Sequence, residues 1–317
     1  MNEFTCDVGV VLVTYNRKRC LDKVLEGLDK QTYPIKKTFV FDNNSTDGTA
    51  EFLLSKNFVK ISPETLDEKK LFYQNTFNAG GAGGFSQAID IAKNFNLDYL
   101  WIMDDDVYPE KTCLENLLHS MKKYNTLAAL PCRNDTNFKD FACVKLDCTN
   151  YLKYSVWKKK TKVYAPFDKD VYFIEDIVFE GPIIHTDVIR KIGKPDASYF
   201  ILFDDTDYAQ RILKHSKIIY VPNAKLHRQL ARKNSSGSRN LPPFNWKMYY
   251  AMRNEILFSR KYGKNWMVRN ISPIIYIIYM MYISYRDHHL LKNLPLIIKA
   301  FIDGMTNKRG MRVKPNY

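Results

Sequence analysis

The sequence predicts an α/β fold: a mainly parallel central sheet flanked by helices, followed by a basic helical extension at the C-terminus. Two patterns carry that expectation. Short runs of β-branched and aromatic residues alternate with stretches of helical periodicity from Val8 to about Arg228, and the first run, Val8 to Thr14, is apolar without alternation, as in a strand buried on both faces. Charge is also segregated. Residues 228–317 hold 17 Lys/Arg against only Glu255, Asp287 and Asp303, while residues 1–227 hold 31 of each sign. A neutral front and a basic rear suggest chemistry in front and attachment to something anionic behind.

After the first strand, Leu21, Val24, Leu25 and Leu28 fall on one helical face, predicting a helix over 20–28. Lys37 to Phe41 is a second strand, closed by Asp42. Ser45-Thr46-Asp47-Gly48 marks a turn and a helix start, with the helix running to about Ser55. Leu71 to Gln74 is a third strand, and Gly83 to Asn94 a helix with Phe85, Ala88, Ile89 and Ala92 inward. Tyr99 to Met103 is a buried strand ending in three aspartates, and Pro109 opens a helix through about Lys123. Residues 132–175 read as short strands and loops, an acceptor-side insertion. Phe179 to Ile184 leads to a short helix with Gly193 as its C-cap. Ile201-Leu202-Phe203 runs into Asp204 and a helix to about Leu213. Ile218 to Val221 is the final strand, with His227 six residues beyond it. Ser235-Ser236-Gly237-Ser238 is a flexible break between two expected regions, a catalytic domain over 1–230 and a basic, aromatic helical region over 240–317.

With 317 residues and 45% hydrophobic content, the chain can bury a large core, which argues against extended disorder. No basic segment precedes an apolar run at the N-terminus, so no secretory signal is expected. The six cysteines form no CxxC pair and read as free thiols in a reducing compartment.

Polar clusters follow the first, second and Tyr99–Met103 strands, at the carboxyl ends where α/β sheets bind ligands. The strongest is Asp104-Asp105-Asp106. Three carboxylates delivered by a buried strand are costly unless a cation neutralises them, and their oxygens suit Mg²⁺ or Mn²⁺. Alternation along an extended chain puts Asp104 and Asp106 on one side as metal ligands, with Asp105 facing the donor sugar or ribose. The glycine-rich stretch Asn78-Ala79-Gly80-Gly81-Ala82-Gly83-Gly84 precedes a helix, so Gly80 and Gly81 let backbone approach an anionic ligand closely. Thr14-Tyr15-Asn16-Arg17 has no glycine, which argues against a dinucleotide-binding dehydrogenase. Asp204 and Asp205 open a helix at a strand end and are candidate general bases. His227 would supply a nitrogen ligand to a transition metal.

Together these segments resemble glycosyltransferase family 2, whose GT-A fold has a Rossmann-like central sheet. The resemblance rests on Val13-Thr14-Tyr15-Asn16-Arg17, Asp42-Asn43-Asn44-Ser45-Thr46-Asp47-Gly48-Thr49, the aspartate triplet, Asp204-Asp205 and His227, over roughly 8–228. It implies nucleotide-sugar contacts from Thr14, Asn16, Arg17, Asp42, Asn43 and Asn78, and a metal held by Asp104, Asp106 and His227. It also implies that Asp205, beside Asp204, deprotonates an acceptor hydroxyl in an inverting hexosyl transfer. The glycine loop, the triple aspartate and Phe203-Asp204-Asp205-Thr206-Asp207-Tyr208 are most similar to bacterial galactofuranosyltransferases, which use UDP-galactofuranose; rhamnosyltransferases are close relatives. No counterpart of the large additional domains of the mycobacterial polymerising members is expected. The expected enzyme therefore forms a single linkage in capsule, O-antigen or cell-wall polysaccharide. A catalytically inactive sugar-nucleotide-binding assembly protein is the non-enzyme alternative. The pI of about 9.3 raises nucleic-acid binding, but no motif for it is present.

In the rear, Trp246, Tyr249, Tyr250 and Phe258 interleave with Lys247, Arg253, Arg260 and Lys261. Tyr249-Tyr250-Ala251-Met252-Arg253-Asn254 also resembles a recurring C-terminal feature of these transferases. Ile271 to Tyr285 is an apolar run of 15 residues, shorter than a span requires. With its aromatics and flanking cations it reads as a helix lying in an anionic membrane interface. That places the protein peripherally on the inner face of the plasma membrane, near a lipid-linked acceptor. The alternative is a helical pair packed on the catalytic domain.

Overall fold

The computed structural model describes residues 6–133, 139–230 and 242–315. In chain order the elements are β1 (Val8–Thr14), α1 (Lys18–Asp29), β2 (Lys37–Asp42), α2 (Thr49–Ser55), β3 (Val59–Lys60), β4 (Lys70–Gln74), α3 (Gly80–Ala92), β5 (Tyr99–Asp104), β6 (Val107–Pro109) and α4 (Cys113–Tyr124). Then come β7 (Ala128–Cys132), β8 (Phe141–Leu146), α5 (Val156–Lys159), β9 (Lys160–Tyr164), β10 (Tyr172–Ile174), β11 (Ile183–His185), α6 (Thr186–Ile192), α7 (Asp204–Ile212) and β12 (Ile218–Arg228). Three long helices follow: α8 (Trp246–Tyr262), α9 (Trp266–Arg286) and α10 (Leu290–Met305).

The main sheet has the order β10-β12-β7-β11-β5-β1-β2-β4-β3, with β6 paired to the far end of β12. Neighbours from β5 through β3 are parallel, as are β7 and β12, while β11 runs antiparallel between β5 and β7. The expected α/β class is therefore observed. Two apolar layers sandwich the sheet, because inward residues alternate to its two faces along each buried strand. Val11, Phe39, Leu71 and Ile102 pack against α3 on one side, and Val10, Leu12, Val40 and Trp101 against α1 and α4 on the other. Register sets the site: Thr14 lies opposite Asp42, Asp42 opposite Gln74, and Val13 opposite Asp104. The polar strand ends are thus aligned along one edge.

Several boundaries differ from the sequence reading. The glycine stretch is itself helical, α3 beginning at Gly80 rather than Gly83. Pro109 closes β6 instead of opening a helix, and α4 starts at Cys113. The last strand runs on through a bulge to Arg228, so His227 lies within β12 and pairs with Tyr108. The apolar run of the rear is part of a 21-residue helix, α9. That helix is long and apolar enough to cross a membrane by length and composition, with 39% of its most apolar window buried. Pro273 sits only eight positions into the helix, where α9 continues through it. The insertion expected at 132–175 contains a separate two-stranded sheet, β8–β9. All six cysteines are free, four of them buried. Ser235–Ser238 and the break between the two expected regions lie outside the described residues.

Candidate active site

A cleft of about 660 Å³ opens along the carboxyl edge of the parallel strands. Thr14, Asn16, Arg17, Asn43, Asn78, Gly80, Gly81, Asp104, Asp105, Asp204 and Asp205 all line it. Many of them first build the cleft's own walls. Asn16 adopts a left-handed conformation (φ 52°), and its Oδ1 accepts from the Thr46 amide at 2.7 Å, tying the loop after β1 to the loop after β2. Asn43 donates to Asn78 Oδ1 and to Gly80 O, both at 3.1 Å, and accepts from the Ala79 amide, so it clasps the start of α3. Gly80 has φ 75°, and a Cβ there would stand 2.5 Å from Phe200 O; one at Gly84 would stand 2.9 Å from Val13 Cγ1. Glycine thus brings the helix start against the strand end. Asp42 lies behind this wall, fully buried. Its Oδ1 accepts from the Ser45 amide at 2.8 Å and its Oδ2 has no partner, while burial raises its pKa.

The aspartates converge. Ligand oxygens of Asp104, Asp105 and Asp106 lie within 4.8 Å of one another, the one such acidic grouping among the described residues. The expected alternation does not extend through the triplet, because β5 ends at Asp104 and Asp105-Asp106 turn the chain into β6. Asp105 is buried, accepting from Thr14 Oγ1 at 2.9 Å and pairing with Arg17 at 2.9 Å; the same Arg17 nitrogen reaches Asp106 at 3.0 Å. Asp105 is therefore held by Thr14 and Arg17 at the cleft wall. Burial and the two neighbouring carboxylates raise Asp104 well above the ordinary range, and burial raises Asp105 and Asp106 against the pull of Arg17. His227 stands apart. Its Nε2 is 2.9 Å from Glu110 Oε1 and its ring stacks on Tyr108, because pairing with β6 directs it there. The expected Asp104–Asp106–His227 set is thus brought together only in its carboxylates.

Across the cleft, Asp204 and Asp205 begin α7 behind Phe203, itself left-handed at φ 73°. Asp204 is buried and held well above the usual carboxylate range by that burial and by Asp205. Burial, and then Asp176, push Asp205 up to about 6. Asp205 also lines a second cavity of about 190 Å³, with Trp157, Lys160, Asp176 and Leu202. It therefore stands at the wall between the two spaces.

A family model described as glycosyl transferase family 2 matches residues 9–177, more than half of the chain. The chain belongs to glycosyl transferase family 2. Galactofuranosyltransferase GlfT1 of Mycolicibacterium smegmatis is 23% identical over 216 residues, 65% of this chain and 65% of that protein. The Escherichia coli UDP-Glc:α-D-GlcNAc-diphosphoundecaprenol β-1,3-glucosyltransferase WfaP is 28% identical over 115 residues, 36% of this chain and 41% of that one. The matches span less than two thirds of either relative's length. Among solved structures, GalNAc-T7 with UDP, GalNAc and Mn²⁺ aligns with a TM-score of 0.56 at 14% identity, over 82% of this chain and 51% of that one. Staphylococcus aureus TarS 1–349 aligns at 0.55 and 15% identity, over 94% of this chain and 81% of that one. These likenesses show the GT-A fold.

Sequence reasoning missed part of this family 2 cleft. Glu180 lines it, held below its ordinary pKa despite burial by Arg133 and Arg228. An acid set between Phe179 and Gly181 in an apolar run was the available signal. Phe200, Trp246 and Lys247 also line the cleft. The last two come from α8, in the region assigned to attachment, and no local pattern reveals that contact.

Proposed function

We propose that this chain is an inverting, metal-dependent glycosyltransferase that moves a sugar from a UDP-sugar to a lipid-linked glycan during bacterial surface polysaccharide synthesis. One observation carries the reading: Asp104 and Asp105, clustered with Asp106, line the same cleft as Asp205. UDP-galactofuranose is the first donor to test, since GlfT1 is named a galactofuranosyltransferase. The glucosyltransferase name of WfaP makes another hexose the second choice, and dTDP-rhamnose remains in the panel. The experiment is UDP or dTDP release from a panel of nucleotide sugars, with and without Mn²⁺. No release from any member, with the protein folded, would favour an inactive assembly protein.

The residues fit a divalent cation, because three clustered carboxylates, with Asp104 raised well above its ordinary pKa by burial, carry more negative charge than their direct ion-pair partner Arg17 offsets. Asp104 and Asp106 would hold Mn²⁺ or Mg²⁺, which when bound offsets charge on a departing diphosphate. Arg17 at the cleft wall is placed to share a phosphate, while Asp42, behind that wall, holds the loop after β2 through the Ser45 amide. Asp205 takes the acceptor proton as the acceptor oxygen attacks the anomeric carbon from the face opposite the leaving group. The acceptor sugar enters through the smaller cavity. There Trp157, about half exposed and edge-on to Phe141, offers a ring for a sugar face.

The pH dependence follows from Asp205. A base must be ionised, so with its pKa near 6 the rate falls as pH drops below 6 and levels off above 7. Measured kcat should lose roughly tenfold per pH unit on the acid limb. A flat profile from pH 5 to 8 would remove Asp205 from the role.

The membrane reading is supported by α9 and α10. Ile274, Ile278, Tyr282 and Tyr285 recur on one stripe of α9, the last three 60–70% exposed, and Leu291, Ile298 and Ile302 repeat this on α10. Arg269, Arg286, Lys292 and Lys299 lie on the same helices, and each cation near an anionic surface is worth about 1 kcal/mol. In the rear, α8 is packed into the domain, while α9 and α10 expose the apolar surface from which the membrane reading is argued. Truncation before α8 would therefore damage the cleft. The suitable test is Ile278→Glu with Tyr282→Glu, expected to cut co-sedimentation with phosphatidylglycerol vesicles at least tenfold while UDP binding persists. Unchanged co-sedimentation would refute the docking face.

A further inference from the structure

Residues 200–203 form the most contorted backbone near the cleft. Phe200, Leu202 and Phe203 have φ of 67°, 66° and 73°, three left-handed non-glycine residues within four positions. Each such conformation is unfavourable and persists only where its surroundings over-determine it. Asp204 and Asp205 follow at once, so whatever fixes this loop fixes the carboxylates.

The fixing groups come from the middle of α8, about 50 residues later. Asn254 Nδ2 donates to the carbonyl oxygens of Tyr199 at 3.1 Å, Ile201 at 2.8 Å and Leu202 at 3.0 Å. Arg253 Nη2 reaches Tyr199 O at 2.8 Å, its Nη1 reaches Gly310 O at 2.6 Å, and its Nε donates to Asn254 Oδ1 at 2.9 Å. Both side chains are fully buried. A cation and an amide buried in an aromatic layer are costly, and an apolar pair of similar volume would fill the space without that cost. What an apolar pair cannot do is hold the carbonyls of Tyr199, Ile201 and Leu202 in an unfavourable conformation. The opposite side of the loop is fixed as well. Phe200 O accepts from the Ala82 amide of α3 at 3.1 Å, and its ring packs on Tyr250 with centroids 4.8 Å apart.

We propose that Asn254 and Arg253 are positioning residues for the chemistry: they clamp the strained 199–203 loop and so aim Asp205 across the cleft. The assignment rests on Asp205 being the proton acceptor. It gives Arg253 and Asn254 of α8 a purpose beyond packing. It also joins the loop to the glycine-rich start of α3, since the Ala82 amide donates to Phe200 O.

The test compares Asn254→Ala and Asn254→Asp with Tyr249→Phe. The Tyr249 variant removes a buried hydrogen bond from α8 to Asp303 of α10, while the ring beside Arg253 is kept and no bond to residues 199–203 is lost. Asn254→Ala is expected to lower kcat by about 10²-fold, the scale of a small misplacement of a catalytic group. The KM for the donor and the calorimetric Kd for UDP should stay within roughly threefold of wild type. Its acid limb should also move from that of wild type, because the loop sets the burial of Asp205. Tyr249→Phe should match the loss in Tm yet keep kcat and the pH profile. If Asn254→Ala does not fold, Arg253→Lys carries the comparison, because it keeps the charge and loses the planar fork. Normal kcat in the folded Asn254 variants, or equal kcat losses in Tyr249→Phe at matched Tm, would overturn the clamp. Near-normal turnover of Asp205→Asn would instead overturn the base assignment beneath it.

Discussion

Asp205→Asn is expected to reduce turnover by about 10²–10⁴-fold while UDP still binds within a few-fold of wild type. The substitution is nearly isosteric. Asp205 Oδ1 accepts from the Thr206 amide at 2.7 Å, and an asparagine oxygen preserves that bond. What disappears is the capacity to take a proton. Folding should not suffer, because Asp176 and Glu180 both crowd the Asp205 charge and its removal relieves them. Stopped transfer with intact calorimetric UDP binding and an unchanged or higher Tm would match the role. Near-normal transfer would end it, and the contribution from Asp204 would then be next to measure.

The second large effect is expected at the carboxylate cluster. Asp104→Asn should lower transfer by about 10²-fold or more, since a bound cation contributes several kcal/mol at the leaving diphosphate. UDP affinity in the variant should no longer respond to added Mn²⁺, as a chelator would produce in the wild type. The metal-free variant should also melt higher than the metal-free wild type near neutral pH. Asp104 is held well above the ordinary carboxylate range, so its ionised form opposes folding as pH rises, and a neutral amide removes that opposition. Asp104 Oδ1 accepts from the Asp105 amide at 2.9 Å, a bond asparagine can keep. Lower stability together with unchanged Mn²⁺ response would dissociate this cluster from metal binding.

The sequence by itself determined the class of fold, the main succession of strands and helices along the first half of the chain and the side of the sheet on which chemistry gathers. Unbroken apolar runs, helical periodicity and polar residues at strand ends are local signals, and each follows from the bonding geometry of a few neighbouring residues. Only the tertiary structure decided the rest. It turned Asp105 onto Arg17, drew His227 to Glu110 through pairing with β6, and put Trp246 and Lys247 of α8 at the cleft. It also made Asn254 a partner of a loop some 50 residues earlier. The physical reason is the same in every case. The direction a side chain takes past the end of a strand depends on what packs against it, and those partners are distant in the chain.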